Sequence, residues 1–137
     1  MAAFLAFERG HLGGVLALCE DQKWPTLPAD PERAAGALTA PGVVTTVALD
    51  GGVVVGFAQM LSDREVTAYL ALLVVANDHR GRGIGRGLVE ECFRRSGALR
   101  VDLLADTESD AFYRRFSHRS LSGFRLYAAD GPADRQS

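Results

Sequence analysis

The chain has 137 residues, of which 47% are hydrophobic and 23% are charged, a balance that predicts one soluble globular domain. The formal net charge of −2 provides no overall positive field, which argues against nucleic-acid and membrane partners. The start of the chain lacks the features of a signal peptide, and no segment reaches the ~18 apolar residues of a membrane helix, so a cytoplasmic protein is predicted. Cys19 and Cys92 lie far apart in apolar segments and are predicted to be buried thiols, not a disulfide or a zinc site.

The first third of the chain predicts a short strand and two helices. Residues 2–7 form an apolar run that suits a strand. Residues 12–20 carry apolar side chains at helical spacing, and this helix should end before Pro25. Asp30-Pro31-Glu32 supplies an N-cap, a proline at the first helical position and an acidic first turn for the second helix, which residues 40–42 close.

Three strands are predicted next. Residues 43–49 and 53–61 are rich in β-branched side chains, and Asp50-Gly51-Gly52 between them is a strong hairpin signal. Residues 69–76 form an unbroken apolar run, which predicts a strand buried on both faces.

The remaining sequence alternates between helix and strand. Residues 84–95 have one apolar and one charged face, and Ser96-Gly97 should end that helix. A strand is predicted over residues 99–103, a short helix over 107–116 and a last strand over 123–128.

This element order predicts a mixed α/β (α+β) fold, in which helices flank a central sheet. The expected organisation is a single domain over residues 1–129, followed by a flexible polar tail over residues 130–137.

The segment Arg80-Gly81-Arg82-Gly83-Ile84-Gly85, which we call the phosphate loop, joins the buried strand to the amphipathic helix. Glycine permits sharp turns and close ligand approach, and the first N–H groups of a helix attract anions. Arg80, Arg82 and Arg86 add positive charge. The sequence therefore predicts a phosphate site here.

Two common nucleotide loops do not fit this spacing. A Walker A loop requires Lys followed by Ser or Thr after its last glycine, whereas Arg86-Gly87 follows Gly85. The dinucleotide pattern GxGxxG fails at Arg86 or at Leu88, depending on the glycine from which it is counted.

The phosphate loop resembles the coenzyme A motif of the GNAT superfamily of N-acetyltransferases, Gln/Arg-x-x-Gly-x-Gly/Ala, set between a buried strand and a helix. The resemblance extends over residues 43–127. It implies the acyl-CoA N-acyltransferase fold with splayed central strands, acetyl-CoA as the acyl donor and no metal. It also implies that the N–H of Val74 polarises the thioester carbonyl. Two sets of residues are implied to contact the cofactor. On the strand they are Leu73, Val74 and Val75, and in the loop they are Arg80, Gly81, Arg82, Gly83, Ile84, Gly85 and Arg86.

By the same resemblance, Tyr113 occupies the place of the general acid that protonates the departing thiolate. A phenol with a pKa of ~10 is close enough in acidity to a thiol with a pKa of about 8.5 to donate a proton to the departing sulfur. The match is imperfect, because Asp106 and Ser109 stand where the family often has Asn and Ala. Residues 116–118 also replace the usual Gly-Phe, so a reshaped acceptor wall is expected.

The general base is less clear from the sequence. His118 is one candidate, because histidine is the residue type whose side chain commonly exchanges a proton near neutral pH. Asp63 and Glu65 follow the second strand of the hairpin, but surface roles are more common for such carboxylates. His79 borders the phosphate loop and is predicted to be a surface residue.

The predicted reaction is direct attack of a primary amine, on a small molecule or a protein, on the thioester of acetyl-CoA. Asp21 and Trp24 are candidate acceptor contacts in the loop after the first helix, where Trp24 could equally anchor the core. Two alternatives remain, a non-catalytic acyl-CoA sensor or interaction module and a binder of another nucleotide. A homodimer is compatible with the resemblance.

Overall fold

A computed structural model of the chain describes residues 2–23, 27 and 30–129. It contains five strands and four α-helices, together with 3-10 turns at Arg9–His11 and Asn77–His79. In chain order the elements are β1 (Ala3–Ala6), α1 (Leu12–Asp21), α2 (Pro31–Thr39), β2 (Val43–Asp50), β3 (Val53–Ser62), β4 (Thr67–Val75), α3 (Ile84–Ser96), β5 (Arg100–Asp102) and α4 (Asp110–Arg114). The chain forms two compact units that divide after Asp102. No helix in the described part of the chain is long and apolar enough to cross a membrane.

The five strands form one mixed sheet in the order β1-β2-β3-β4-β5. All neighbours are antiparallel except β4 and β5, which run parallel. β5 pairs with β4 only over residues 67–69, so β4 continues six residues beyond that pairing, from Leu70 to Val75. We call the side of residues 70–75 that faces away from β3 the outer edge of β4. The mixed sheet flanked by helices confirms the predicted fold class.

The predicted turns and caps form as expected in the first unit. Gly51 and Gly52 have φ angles of +58° and +82° in the β2–β3 hairpin, a left-handed conformation that favours glycine. The Asp30 side chain accepts a hydrogen bond from the Glu32 N–H at 2.9 Å and caps α2, whose first residue is Pro31. Cys19 and Cys92 are both buried thiols, as predicted.

Helices cover both faces of the sheet. Phe57 belongs to the core that β3 and β4 form with α1 and α2, whereas the neighbouring Gly56 lies against Ile84 and Leu88 of α3. Successive residues of a strand point to opposite faces, so α3 packs on the face opposite α1 and α2. This packing fixes the position of the first turn of α3 on the sheet, and with it the end of the phosphate loop.

One face of β4 is buried, and the prediction of two buried faces is wrong. Leu70, Leu72 and Val74 are buried, but the residues that follow each of them, Ala71, Leu73 and Val75, are only half-buried. Leu72 and Val74 pack in the core with α1 and α2. The apolar run therefore contains side chains that are partly accessible along the strand.

Gly56 is needed for the close approach of α3, and we expect Gly56→Ala to destabilise the fold by about 1–3 kcal/mol. A Cβ at this position would lie 2.9 Å from Leu88 Cδ1 and 3.0 Å from the carbonyl oxygen of Val74. The leucine side chain can move, but the backbone oxygen cannot move without disturbing β4. Urea denaturation of Gly56→Ala and wild type measures the difference in the free energy of unfolding.

The control for that measurement is Gly36→Ala, on the exposed side of α2, where an added Cβ meets no atom within 4 Å. This change should raise stability by about 0.5–1 kcal/mol, because alanine has less conformational freedom to lose in a helix. Equal or greater stability of Gly56→Ala relative to wild type would contradict the packing argument.

In the described residues of the second unit, 103–129, the helix is α4, which is shorter than the predicted helix over residues 107–116. The predicted strand over residues 123–128 is wrong, because these residues adopt no regular structure. Phe124 and Leu126 are 83% and 89% exposed, so the segment buries too little apolar surface to offset the entropy of ordering a strand. The predicted tail, residues 130–137, lies outside the described residues.

Candidate functional site

The phosphate loop turns the chain from β4 into α3 by means of glycines in left-handed conformations. Gly81 and Gly83 have φ angles of +76° and +82°, which side chains with a Cβ rarely adopt. Gly83 is the N-cap of α3, and the first helical hydrogen bond runs from the Gly87 N–H to the Gly83 carbonyl at 3.0 Å. The first N–H groups of any helix lack a preceding turn to donate to, and in α3 this first turn begins at Ile84. These N–H groups form the positive end of the helix dipole and suit an anion.

The Arg80 side chain points back toward the end of β4. Its Nε donates to the Val75 carbonyl at 3.3 Å, and its Nη2 donates to Gln22 Oε1 at 3.0 Å. Gln22 Nε2 donates to the same Val75 carbonyl. Arg80 and Gln22 therefore link the phosphate loop, the outer edge of β4 and the residue that follows α1.

A bulge interrupts the pairing of β4 with β3. Leu70 and Leu72 of β4 pair with Met60 and Gln59, which are consecutive on β3, so Ala71 is the extra residue. A bulge bends a strand and increases its local twist. The bulge lies close to Tyr69, the last residue of β4 that pairs with β5.

The register identifies the backbone groups that lie along the outer edge of β4. The Ala76 N–H donates to the Val55 carbonyl on β3 at 2.8 Å. Backbone groups in an antiparallel pair alternate between the two sides, so Val74 faces β3 while Leu73 and Val75 face the outer edge. This geometry contradicts the prediction that the N–H of Val74 polarises a thioester, because that N–H points into the β3 ladder. Leu73 and Val75 present the outward N–H groups.

His79 is more enclosed than a surface residue, contrary to the prediction. Its side chain is 17% exposed and lies between two carboxylates, with Nδ1 2.8 Å from Asp78 Oδ1 and Nε2 3.0 Å from Asp50 Oδ2. The hydrogen bond to Asp78, which is the larger cause, and the one to Asp50 raise the pKa of His79 above its ordinary value. No local pattern indicates this contact, because Asp50 precedes His79 by 29 residues.

The second unit places Tyr113 in α4 among aromatic side chains. Its ring centroid lies 4.9 Å from that of Phe112 and 6.4 Å from that of Phe116. Burial, followed by the negative charge of Asp106, raises the pKa of Tyr113 to about 12. The hydroxyl therefore keeps its proton at neutral pH and can act as a hydrogen-bond donor.

Asp106 and Ser109 stabilise the turn before α4. The Asp106 carboxylate accepts hydrogen bonds from the Ser109 N–H and the Ser109 hydroxyl, both at 2.9 Å. These bonds hold the pKa of Asp106 below its usual value. The two residues that depart from the family pattern thus form a hydrogen-bonded turn of their own.

The candidate bases have different surroundings. Asp63 Oδ1 accepts hydrogen bonds from the N–H groups of Val66, Glu65 and Thr67, and these bonds lower the pKa of Asp63. The Asp63 carboxylate therefore stabilises the β3–β4 turn. His118 is exposed, and its Nδ1 lies 2.7 Å from the Phe116 carbonyl oxygen. Because a carbonyl oxygen can only accept a hydrogen bond, Nδ1 carries the proton in the neutral ring. Nε2 is then the nitrogen that can accept a proton.

The predicted acceptor contacts are described only in part. Asp21 is the last residue of α1 and is exposed, and it precedes Gln22 directly. Trp24 lies outside the described residues.

A central strand that continues past its parallel partner and leads through a glycine loop into a helix is the arrangement expected of an acetyltransferase fold. The family model described as the acetyltransferase (GNAT) domain matches residues 41–117, more than half of the chain. This range contains β4, the phosphate loop and Tyr113. The chain therefore belongs to the GNAT acetyltransferase family, and the predicted family is confirmed.

Solved structures agree with this fold. An acetyltransferase from Trypanosoma brucei is 22% identical, with 93% of this chain and 100% of that chain covered and a TM-score of 0.75. An aminoglycoside N-acetyltransferase in complex with CoA is 19% identical, with 96% of each chain covered and a TM-score of 0.78. A ribosomal-protein-alanine N-acetyltransferase from Brucella melitensis biovar Abortus 2308 is 15% identical, with 93% and 99% covered and a TM-score of 0.74. No curated protein matches the chain by sequence.

Proposed function

We propose that the protein transfers an acetyl group from acetyl-CoA to a primary amine by direct attack of the amine on the thioester. The observation that carries this proposal is the run of backbone N–H groups along the outer edge of β4 and into the first turn of α3. Leu73 and Val75 supply the first part, and residues 84–86 supply the second. Such a run suits an extended ligand with amides at one end and a pyrophosphate at the other.

In this proposal the first turn of α3 holds the pyrophosphate through its N–H groups, and the guanidinium of Arg82 adds charge. Val75 pairs with the pantetheine amides. Its carbonyl already accepts from Gln22 and Arg80, so an amide N–H of the ligand would replace a side-chain donor there. The accessibility of this carbonyl to side-chain donors supports the proposed pairing with pantetheine.

The N–H of Leu73 takes the role of oxyanion donor in place of Val74, because it faces the outer edge of β4. It would donate to the thioester oxygen as negative charge develops there during attack. A fixed backbone donor of this kind lowers the barrier because it needs little reorganisation when the charge appears.

Tyr113 is proposed to assist departure of the thiolate. With a pKa of about 12, its hydroxyl is a weaker acid than a thiol of pKa about 8.5, so complete proton transfer is uphill. Hydrogen bonding to the departing sulfur is the role that this pKa favours. His118 Nε2 remains the candidate acceptor for the amine proton.

The acceptor is an amine on a small molecule or on a protein. The structural relatives include an aminoglycoside N-acetyltransferase and a ribosomal-protein-alanine N-acetyltransferase, which represent both kinds. The alternative function is an acyl-CoA-binding module without transfer. The Asp63 carboxylate accepts hydrogen bonds within the β3–β4 turn, which leaves one candidate base fewer and slightly favours this alternative.

The test has two stages. Acetyl-CoA at a concentration well above its dissociation constant should raise the melting temperature by about 5 °C or more, since a ligand that binds only the folded state stabilises it. The absence of a shift at millimolar acetyl-CoA would contradict the proposal. A panel of amines is then assayed for release of CoA thiol, and binding without release across the panel would support the module instead.

A further inference from the structure

His79 lies at the junction between β4 and the phosphate loop, and both of its ring nitrogens face carboxylates. Asp78 Oδ1 is 2.8 Å from Nδ1, and Asp50 Oδ2 is 3.0 Å from Nε2. An ionised carboxylate can only accept hydrogen bonds, so both nitrogens must donate to satisfy these contacts. The geometry therefore corresponds to the doubly protonated, positively charged imidazole.

The two carboxylates differ in how firmly they are anchored. Asp78 belongs to the same 3-10 turn as His79, and its side chain is 84% exposed. Asp50 is the last residue of β2 and pairs with Val53 across the hairpin. The bond to Asp50 therefore ties the residue before Arg80 to the central sheet.

We propose that doubly protonated His79 is a positioning residue for the phosphate loop, and that its ion pairs with Asp50 and Asp78 strengthen acyl-CoA binding at low pH. This inference rests on the proposed function. The mechanical part is that His79 fixes the start of the loop, and thereby the direction of the N–H groups of residues 84–86. The electrostatic part is that loss of the His79 proton removes a positive charge that stands beside the proposed anion site.

The direction of the pH dependence follows from the groups that face His79. Asp78 on its own turn and Asp50 on the hairpin raise its pKa above the ordinary value of 6.5, while the charge of Arg82 in the loop lowers it. A group whose pKa is raised in the folded state contributes its full effect below the ordinary pKa. That contribution is lost as the pH rises through the raised pKa, so acyl-CoA affinity should weaken over this interval.

The experiment measures the dissociation constant of CoA by calorimetry from about pH 6 to about pH 9 for wild type, His79→Gln and Asp50→Asn. The 3′-phosphate of CoA loses its second proton near pH ~6, which acts in the opposite direction but equally on all proteins. The ratio of variant to wild-type constants is therefore the readout. We expect His79→Gln to weaken CoA binding about fivefold near pH 6 and by less than about twofold near pH 9. Asp50→Asn breaks the tie to the sheet but also removes a negative charge beside the anion site, so it should weaken CoA binding less than His79→Gln near pH 6.

The double variant should bind CoA no more weakly than His79→Gln alone, since both substitutions remove the same interaction. The matched control is Glu65→Gln, an exposed carboxylate on the β3–β4 turn, which should leave the pH profile unchanged. Variant profiles that run parallel to wild type, with only the melting temperature altered, would overturn the inference. Failure of wild type to bind CoA would contradict the proposed function instead.

Discussion

Replacing Gly83 with valine should raise the dissociation constant of acetyl-CoA at least about thirtyfold while the protein remains folded. Gly83 has a φ of +82°, and a β-branched residue is a severe outlier there. Relief of that strain, about 1–2 kcal/mol, requires rotation of the adjoining peptide groups. Such a rotation turns the first N–H groups of α3 away from the pyrophosphate, and each lost hydrogen bond to a charged group costs about 1.5–3 kcal/mol. Calorimetric titration with acetyl-CoA measures the change.

The matched control for this substitution is Gly13→Val, in the first turn of α1. Gly13 is exposed, and an added Cβ would meet no atom within 4 Å. This change introduces the same side chain at a helix start without disturbing the phosphate loop, so acetyl-CoA affinity should be unchanged. Retention of wild-type affinity by a folded Gly83→Val variant would show that the glycine conformation does not orient the binding groups.

Tyr113→Phe is expected to lower kcat about 10²-fold and to change the dissociation constant of acetyl-CoA by less than about twofold. The hydroxyl is proposed to act on the departing sulfur, and phenylalanine keeps the aromatic packing with Phe112 and Phe116. Because the pKa of Tyr113 is about 12, no decline of kcat from its ionisation is expected below about pH 10. Steady-state release of CoA thiol, measured across this pH range with an active amine, provides the data.

The control is Tyr127→Phe, a tyrosine in the second unit beyond the residues that match the family model. It should leave kcat nearly unchanged. Equal losses of kcat in both variants would point to a general disturbance of the second unit. An unchanged kcat in Tyr113→Phe would remove Tyr113 from the proposed mechanism.

Local signals in the sequence predicted most of the elements that build the candidate site. The hairpin at residues 50–52, the N-cap of α2 and the glycine loop before α3 each depend on a few neighbouring residues, and all three form as expected. Such features are set by the conformational preferences of single residues. They can be predicted without knowledge of the rest of the fold.

Features that depend on distant partners could not be predicted in this way. The direction of the Val74 N–H follows from the register with β3, and the bulge at Ala71 changes that register. The contact between His79 and Asp50 joins the 3-10 turn before the phosphate loop to the end of β2, which lies 29 residues earlier in the sequence. The alternating segment over residues 123–128 has the composition of a strand, but composition does not provide a pairing partner.

The carbonyl of Val75 accepts hydrogen bonds from two side chains that come from different parts of the chain. If a ligand amide donates to this oxygen, Gln22 has to find another partner, and the end of α1 must adjust. Occupancy of the outer edge of β4 and the conformation of the chain after α1 are then thermodynamically linked. Linkage is reciprocal, so an acceptor that favours the adjusted conformation at α1 would tighten donor binding by the same factor. Cooperativity between the two substrates would follow from a single shared backbone oxygen.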